Sequence, residues 1–303
     1  MTGAPSGAGD TPVAAQGVTG AGELVRAGAA TLHNAHVPSP RVDAEALLAH
    51  VLDRELPDLR RAMVLGETVT EADRAAYLRL VDQRAARVPL QHLTGEAHFR
   101  RLALRVGPGV FVPRPETEVL VELALTDLRA AGEEPVVVDL CTGSGAIALA
   151  LADEWPTAAV HAVELSEEAY AWAAANVERS GLAVDLRRGD ATTAFDNLVG
   201  AVDVVVSNPP YIPPGSVPVD PEVRDHDPEL ALYGGGADGL QVPLAVAARA
   251  AVLLAPRGVL LMEHADVQGE ELVRRLRATG DWSQVTDHVD LAGLPRVTRA
   301  VRG

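Results

Sequence analysis

Apolar and polar positions change their spacing along the chain, and from Pro135 onward short valine-rich runs alternate with stretches of helical period. The predicted strands are Val136–Leu140, Val160–Glu164, Val184–Arg188, Val202–Val206, Val259–Met262, Val285–Asp290 and Val297–Val301. The predicted helices are Ala146–Asp153, Glu167–Ser180, Leu240–Leu254 and Val267–Thr279. This alternation predicts an α/β fold, a doubly wound and mostly parallel sheet with helices on both faces. The two late strands predict an antiparallel pair at one edge.

The part of the chain before the sheet has a different pattern. Helical spacing begins near Gly22, again at Ser39-Pro40, and a third time at Thr70, where Asp73 completes a capping box. Between Arg101 and Val106 the larger apolar residues fall at every second position, which predicts a strand or hairpin. We therefore predict a disordered tail over residues 1–20, an all-helical substrate-recognition domain over 21–88, a linker with a β-hairpin over 89–112, and the sheet domain over 113–303.

Composition restricts the class of partner. The 303 residues carry a formal net charge of −16, and all 26 basic residues are arginine. A protein that binds duplex nucleic acid normally presents a basic surface, so this acidic balance argues against direct nucleic-acid binding. The single cysteine excludes an internal disulfide and disfavours a cysteine-based zinc site. His33 and His36 lack an evident third ligand, so no metal is predicted.

The chain also gives no sign of a membrane protein. Its start lacks a charged segment followed by an apolar core, and Arg249 and Pro256-Arg257 interrupt the longest apolar stretch. These features favour a cytoplasmic protein without a membrane partner.

A glycine-containing turn follows the first strand of the sheet. In Asp139–Gly145, Gly143 and Gly145 let the backbone approach a ligand, and the next helix begins behind them. Glu164 ends the second strand, where an acidic side chain can accept hydrogen bonds from ribose hydroxyls. Asp190 follows the third strand and could read an adenine amino group, or cap a helix. A nucleotide-type ligand is predicted, although a plain tight turn and a dinucleotide oxidoreductase are alternatives.

A second loop follows the strand Val202–Val206. Pro209 and Pro210 exclude a helix there and hold the residues before them in extended geometry. The loop therefore presents the Asn208 amide, free carbonyl oxygens and the Tyr211 ring. Such a set suits a planar group with two N–H donors. An ordinary turn followed by a surface aromatic residue is the alternative.

Taken together, these residues resemble the bacterial protein-(glutamine) methyltransferases that modify peptide chain release factors, within the Rossmann-like class I S-adenosylmethionine-dependent methyltransferases. The resemblance is carried by Asp139–Gly145, Glu164, Asp190, Asn208–Tyr211, Pro40–Glu45, Pro89–Gly95, Val112–Glu118, Glu229–Gly235 and Gln268–Glu270. Three departures are Cys141, where many members have glycine, Ala191, where an aromatic residue is frequent, and His92, where tyrosine is common.

The resemblance implies methylation of the glutamine in the Gly-Gly-Gln motif of release factors, with S-adenosylmethionine as cofactor and the helical domain gripping the protein substrate. It implies a cofactor site formed by Cys141, Thr142, Gly143, Ser144, Gly145, Glu164, Asp190, Ala191 and Asn208. The substrate would bind Asn208, Pro209, Pro210 and Tyr211, of which Asn208, Pro209 and Tyr211 would carry catalysis.

Three other functions compete with this hypothesis: a ribosomal-protein glutamine methyltransferase, a nucleic-acid amino methyltransferase, and a cofactor-binding module without catalysis. We expect a monomer. The role of Arg114 and Glu116 stays open between helix-start packing and a cofactor lid, and that of Glu263–His264 between a structural role and the pocket wall.

Overall fold

The structure is a computed structural model that describes residues 19–303. The described chain divides into two compact units, one ending at Thr94 and the other beginning at Gly95. A disordered tail was predicted over residues 1–20. Residues 1–18 lie outside the described part of the chain. Thr19 and Gly20, the last two residues of that prediction, form a short strand instead.

The first unit consists mainly of helices. Its elements are β1 (Thr19–Gly20), α1 (Ala21–Asn34), α2 (Pro40–Val51), α3 (Leu56–Val64), β2 (Thr68–Val69), α4 (Glu71–Ala85) and α5 (Leu90–Thr94). The predicted starts of α1, α2 and α4 agree with the structure, and the Thr70 hydroxyl caps α4 by accepting from the Asp73 amide at 3.2 Å. The short helices α3 and α5 were not predicted. The unit is also not all-helical, because β1 and β2 pair antiparallel.

Close packing of α1 on α4 organises the core of the first unit. Tyr77 is fully buried, and its hydroxyl donates to the Leu24 carbonyl oxygen at 3.3 Å. Gly28 allows this approach, since a Cβ atom there would lie 2.0 Å from the Tyr77 hydroxyl oxygen. A side chain on this turn of α1 is thus excluded by contact with α4.

The second unit contains a hairpin followed by the sheet domain. Its elements are β3 (Glu96–Phe99), β4 (Leu102–Arg105), α6 (Glu118–Ala131), β5 (Val136–Leu140), α7 (Ala146–Glu154), β6 (Ala159–Glu164), α8 (Glu167–Ser180), β7 (Val184–Arg188), β8 (Val202–Ser207), α9 (Pro221–His226), α10 (Glu229–Leu232), α11 (Gln241–Leu253), β9 (Leu254–Glu263), α12 (Gly269–Thr279), β10 (Trp282–Val289) and β11 (Pro295–Arg302).

The main sheet has seven strands in the order β10-β11-β9-β8-β5-β6-β7. Strands β5 to β9 run parallel to one another, whereas β11 is antiparallel to both β9 and β10. The predicted fold class, a doubly wound and mostly parallel sheet with an antiparallel pair at one edge, is confirmed. The strand order reverses between β5 and β8, the position at which open α/β sheets bind ligands.

Successive residues of the central strands face opposite sides of the sheet. Val137 and Val204 pack with α6 and α7 on one side, while Val138 and Val205 pack with α11 and α12 on the other. Burial on both faces explains why these strands are continuous valine runs rather than alternating patterns. In the part of the chain that the structure describes, no helix is long and apolar enough to span a membrane.

Candidate active site

The glycine-containing turn and the proline-containing loop leave the sheet side by side. Leu140, the last residue of β5, pairs in parallel register with Ser207, the last residue of β8. The Ser207 hydroxyl also donates to the Leu140 carbonyl oxygen at 2.5 Å, which ties the two strand ends together. Cys141 and Asn208 therefore begin neighbouring loops at the carboxyl edge of the sheet.

A cavity of about 510 Å³ lies at this edge. Its wall includes most of the predicted site residues, namely Cys141, Thr142, Gly143, Ser144, Glu164, Asp190, Ala191, Asn208, Pro210 and Tyr211. Two predicted residues do not contribute to the wall. Gly145 stands at the start of α7 with φ +85°, close to Leu149. Pro209 is a buried residue of the proline-containing loop.

The turn after β5 uses left-handed backbone at alternate positions. Cys141, Gly143 and Gly145 have φ values of +70°, +58° and +85°. Glycine adopts this region freely, whereas other residues incur a cost of about 1–2 kcal/mol. Cys141 thus adopts a backbone conformation that glycine adopts more freely.

The buried carboxyl group of Asp139 holds this turn by hydrogen bonds. Asp139 is fully buried, and its Oδ2 accepts from the Thr142 hydroxyl at 2.6 Å and from the Ala148 amide at 3.2 Å. Burial raises the pKa of Asp139 to about 7. Its Oδ1 has no hydrogen-bond partner among residues 19–303. Asp139 thereby joins β5, the turn and the first residues of α7.

Glu164 is held at the end of β6 by backbone donors. Its Oε2 accepts from the Gly143 amide and its Oε1 from the Ser166 amide, both at 2.8 Å. Burial raises the pKa of this carboxyl group. A carboxylate has about four acceptor positions, so the fixed group can still accept from two hydroxyls of a ligand in the cavity.

Asp190 belongs to a turn and not to a helix start. Its Oδ1 accepts from the amide and hydroxyl of Thr192, at 2.8 Å and 2.7 Å. No α-helix begins at this turn in the described chain, so the alternative of an α-helix cap is wrong. The neighbouring Ala191 is buried and also lines the cavity.

The Asn208 side chain is oriented by a threonine from a distant part of the chain. Its Nδ2 donates to the Thr117 hydroxyl oxygen at 3.4 Å, so its Oδ1 is the atom left to accept from a ligand. Within the described part of the second unit, the backbone carbonyls of Asn208 and Pro209 accept no hydrogen bond. The loop thus presents acceptors, as a planar N–H donor requires.

The back of the loop is held by a glutamine. Gln268 Nε2 donates to the carbonyl oxygens of Tyr211 and Asp238, both at 2.8 Å, while its Oε1 accepts from the Ala265 amide at 3.0 Å. The sequence marks Gln268 only as part of Gln268–Glu270, one of the stretches that resemble the family. Its hydrogen bond to Tyr211 joins residues 57 positions apart and could not be predicted.

Two glycines let the chain pass directly behind the same loop. A Cβ atom on Gly234 would lie 1.9 Å from the Gly239 carbonyl oxygen and 2.5 Å from that of Pro210. One on Gly239 would lie 2.1 Å from the Tyr211 carbonyl oxygen. Both positions therefore exclude any side chain.

Arg114 lies in the cavity wall. Its guanidinium group stands 5.1 Å from the ring centroid of Phe111 and pairs with Asp227 at 3.0 Å. The Asp227 side chain is completely buried, and burial raises its pKa to about 6. Glu116, by contrast, is exposed and absent from the wall.

Glu263 and His264 lie behind the wall. Glu263 ends β9 fully enclosed, and burial raises its pKa to about 7. The Tyr211 hydroxyl donates to its Oε1 at 3.5 Å. His264 hydrogen bonds to Asp287 at 2.9 Å and to the Ala265 carbonyl oxygen at 2.8 Å. Neither side chain lines the cavity.

Other wall residues were not predicted as site residues, although Thr117, Leu230 and Tyr233 lie in stretches that carry the family resemblance. They are Phe99, Phe111, Thr117, Leu165, Val223, Pro228, Leu230, Tyr233 and Val246, among others. Most are apolar side chains in loops or short helices, and only the fold brings them together. They supply the apolar surroundings that a ligand site of this kind needs.

Comparison with known proteins identifies the family. Residues 23–95 match the family described as PrmC N-terminal domain, and residues 101–218 match the methyltransferase small domain. A release factor glutamine methyltransferase from Streptomyces coelicolor is 52% identical over 272 residues, which cover 89% of this chain and 93% of the relative. The chain belongs to the release factor glutamine methyltransferase family.

Further members have similar coverage. The protein of that name from Bifidobacterium longum is 45% identical over 85% of this chain and 92% of its own length. The one from Mycolicibacterium smegmatis is 46% identical over 92% of this chain and 96% of its own length. The resemblance found in the sequence is confirmed, and the chain is an S-adenosylmethionine-dependent methyltransferase.

Proposed function

We propose that this methyltransferase modifies the side-chain amide nitrogen of the glutamine in the Gly-Gly-Gln motif of peptide chain release factors. The observation that carries the proposal is that one cavity contains both the glycine turn after β5 and the Asn208–Tyr211 loop after β8. The two loops start from paired strand ends, so a methyl donor on one lies beside an acceptor amide on the other. The relatives named for this reaction support the same acceptor.

The residues of the turn suit S-adenosylmethionine. Gly143 lines the cavity with no non-neighbouring atom within 4 Å of its Cβ position, and the helix α7 begins three residues later, at Ala146. Glu164 accepts from the ribose hydroxyls, Asp190 from the adenine amino group, and Ala191 packs beside the base. When bound, the cofactor supplies an electrophilic methyl group on its sulfonium sulfur.

The acceptor amide is positioned by oxygen atoms of the proline-containing loop. Asn208 Oδ1 accepts one amide N–H and the Pro209 carbonyl accepts the other, while Pro210 and Tyr211 form the wall against the amide plane. The nitrogen lone pair of an amide is delocalised, so orientation must supply much of the rate. The same oxygens stabilise the positive charge that develops on nitrogen. The N-methylated amide then loses one proton to water, and no dedicated base is needed.

Replacement of Asn208 tests this arrangement. Asn208→Ala removes one of the two acceptors that orient the amide, and we expect kcat to fall by about a hundredfold or more. The dissociation constant for S-adenosylmethionine, measured by calorimetry, should change little. Near-normal turnover of this variant with a release factor would contradict the assignment.

The competing acceptors are separated by one labelling assay. Purified protein and labelled S-adenosylmethionine are incubated in turn with a release factor, with ribosomal proteins and with DNA. We expect label on the release factor alone, and none on a release factor whose motif glutamine is replaced by alanine. Label only on ribosomal protein or only on DNA would select one of the alternative enzymes, and no label at all would favour a non-catalytic module.

The remaining parts of the proposal concern the setting of the reaction. The helical unit grips the release factor, and the enzyme acts as a monomer in the cytoplasm without direct nucleic-acid contact. The net charge of −16 supports a protein partner over a nucleic acid.

A further inference from the structure

Gln268 connects three loops at the carboxyl edge of the sheet. It stands at the start of α12 and is 6% exposed. Its Nε2 donates to the carbonyl oxygens of Tyr211 and Asp238, and its Oε1 accepts from the Ala265 amide. These partners lie in the loop after β8, in the segment between α10 and α11, and in the loop after β9. One buried side chain therefore joins the three loops.

The orientation of the Gln268 amide follows from its partners. The Ala265 N–H group can only donate, so it faces Oε1, whereas the two carbonyl oxygens can only accept, so they face Nε2. Gln268 is also held by its own backbone: its amide donates to the Ala265 carbonyl oxygen and its carbonyl accepts from the Leu272 amide, both at 2.9 Å. The two hydrogen bonds that the side chain donates thus start from a fixed support.

The proline-containing loop needs support from other parts of the chain. Pro209-Pro210 has no N–H group, so the loop cannot be closed by backbone hydrogen bonds donated at these positions. One end of the loop is held at Ser207, whose hydroxyl binds the last residue of β5 at 2.5 Å. The other end is held at Tyr211, whose carbonyl oxygen accepts from Gln268 Nε2 at 2.8 Å. Because proline fixes φ, holding both ends restricts the orientation of Asn208 and of the carbonyl groups between them.

The backbone at Gly239 lies directly against the same carbonyl group. A Cβ atom on Gly239 would lie 2.1 Å from the Tyr211 carbonyl oxygen. Gln268 also binds the carbonyl oxygen of Asp238, the residue before Gly239, at 2.8 Å. The glutamine side chain therefore holds the end of the loop against this backbone and opposes its movement away from it.

We infer that Gln268 is a positioning residue for methyl transfer, which acts through the Tyr211 carbonyl group to keep the acceptor oxygens of the Asn208–Tyr211 loop in place. Gln268 is not part of the cavity wall, so it acts only through the loop. The inference rests on the proposed function, because these oxygens matter for the rate only if the loop orients a substrate amide. A displacement of about 1 Å at a reacting group can lower the rate about a hundredfold.

The first test removes both donated hydrogen bonds without changing the size of the side chain. Gln268→Glu keeps an oxygen for the Ala265 amide but places a second oxygen against the two carbonyl groups. We expect kcat with a release factor to fall by about tenfold to a hundredfold. The dissociation constant for S-adenosylmethionine, measured by calorimetry, should stay within about twofold of wild type, and the KM for the release factor should change less than kcat. Gln284→Glu, at an exposed position of β10, is the matched control and should behave as wild type.

A second test displaces the loop from the opposite side. Gly239→Ala places a Cβ atom against the Tyr211 carbonyl oxygen and should lower kcat as Gln268→Glu does. Gly236→Ala is the matched control, since both glycines have left-handed backbone, with φ values of +77° and +67°. The new Cβ at Gly236 would meet its nearest neighbour at 3.5 Å, an ordinary contact distance. The conformational cost of alanine is similar at both positions, so a difference in kcat reports displacement of the loop.

A double variant separates positioning from a general loss of stability. If Gln268 acts through the loop, adding Gln268→Glu to Asn208→Ala should lower kcat by less than about threefold further, because one of the oriented oxygens is already absent. A purely structural effect would instead multiply with the loss caused by Asn208→Ala.

The outcomes are distinct from those of the proposed function. Absence of release factor methylation by wild type would contradict the function and the inference with it. With an active wild type, a kcat of Gln268→Glu within about twofold of it would overturn the inference alone, as would equal kcat values in Gly239→Ala and Gly236→Ala or multiplicative losses in the double variant. If Gln268→Glu fails to fold, as judged by circular dichroism, Gln268→Met, which has a similar volume and no donor, replaces it, and the glycine pair decides if both fail.

Discussion

At the scale of single residues, the site is built on carboxyl groups buried at the ends of parallel strands. Asp139, Glu164 and Glu263 end or nearly end β5, β6 and β9, and burial raises the pKa of each. Such groups cost stability when ionised, because a charge is poorly solvated in the interior. Of the three, Glu164 lines the cavity, whereas Asp139 and Glu263 lie outside its wall.

The pH dependence of stability should report this cost at Asp139. Its pKa is about 7 in the folded protein, against roughly 3.9 when unfolded. The protonated Asp139 carboxyl group makes its full contribution to the stability of the fold below about pH 4, and this contribution is lost as pH rises to about 7. Asp139→Asn cannot ionise, so the free energy of unfolding of the variant relative to wild type should rise by about 1–4 kcal/mol between those pH values.

Urea denaturation at a series of pH values measures this difference. Asp266→Asn, at an exposed position after β9, is the control and should track wild type throughout. A constant difference between Asp139→Asn and wild type from pH 4 to pH 7.5 would show that Asp139 is ionised normally in the fold.

At the scale of elements, the sequence predicts those that follow a simple pattern. The predicted bounds of β5, α8 and β7 agree with the structure, since a buried parallel strand and a capped helix each have a local signature. The short helices α9 and α10 were missed. They lie among Pro218, Pro221 and Pro228, and with six and four residues they are too short to show a period.

The functional residues divide in the same way. Asn208, Glu164 and the glycine turn stand at strand ends, a position that the pattern of strands already marks. Thr117 could not be connected with Asn208 from the sequence, because the two residues are 91 positions apart and their hydrogen bond forms only in the fold. The role of Thr117 depends on its burial and its hydrogen-bond partner, which are properties of the fold and not of the local sequence.

Helix α1 offers a prediction in which intrinsic propensity and packing oppose each other. Alanine is ordinarily better than glycine inside a helix by about 1 kcal/mol. At Gly28, however, the added Cβ would meet the buried Tyr77 hydroxyl at 2.0 Å. We expect Gly28→Ala to lower the free energy of unfolding by about 1–3 kcal/mol. Chemical denaturation measures this change.

Gly22 provides a matched control on the same helix. Its nearest neighbours would lie 3.8 Å from a new Cβ, which is an ordinary contact distance. Gly22→Ala should therefore leave stability unchanged or raise it by up to about 1 kcal/mol. If Gly28→Ala were as stable as Gly22→Ala, the close packing of α1 on α4 would be incorrect.

At the scale of the whole molecule, cofactor binding and unfolding are linked. A ligand that binds only the folded state stabilises it by about 2.7 kcal/mol at a hundredfold excess over its dissociation constant. For a protein of this size we expect S-adenosylmethionine to raise Tm by about 5–10 °C. Glu164→Ala removes the ribose acceptor and should abolish most of this shift.

Thermal denaturation with and without S-adenosylmethionine separates loss of binding from loss of stability, because the Tm of the free variant is measured independently. Glu167→Ala, at an exposed position on α8, is the control and should show the full shift. A full shift in Glu164→Ala would exclude Glu164 from the cofactor site.

The segment between Ile212 and Tyr233 leaves and re-enters the fold at almost the same point. The Ile212 amide donates to the Leu232 carbonyl oxygen at 2.8 Å, and the Gly234 amide donates to the Ile212 carbonyl oxygen at 3.0 Å. Between these contacts the chain contributes Val223, Pro228 and Leu230 to the cavity wall. Because loop-closure entropy rises only slowly with loop length, a change in the length of this segment would alter the entropy of closing it by little. Asp227 within the segment is nevertheless buried against Arg114, so we expect tolerance of insertions at exposed positions such as Gly215 and Val219 and not at Asp227.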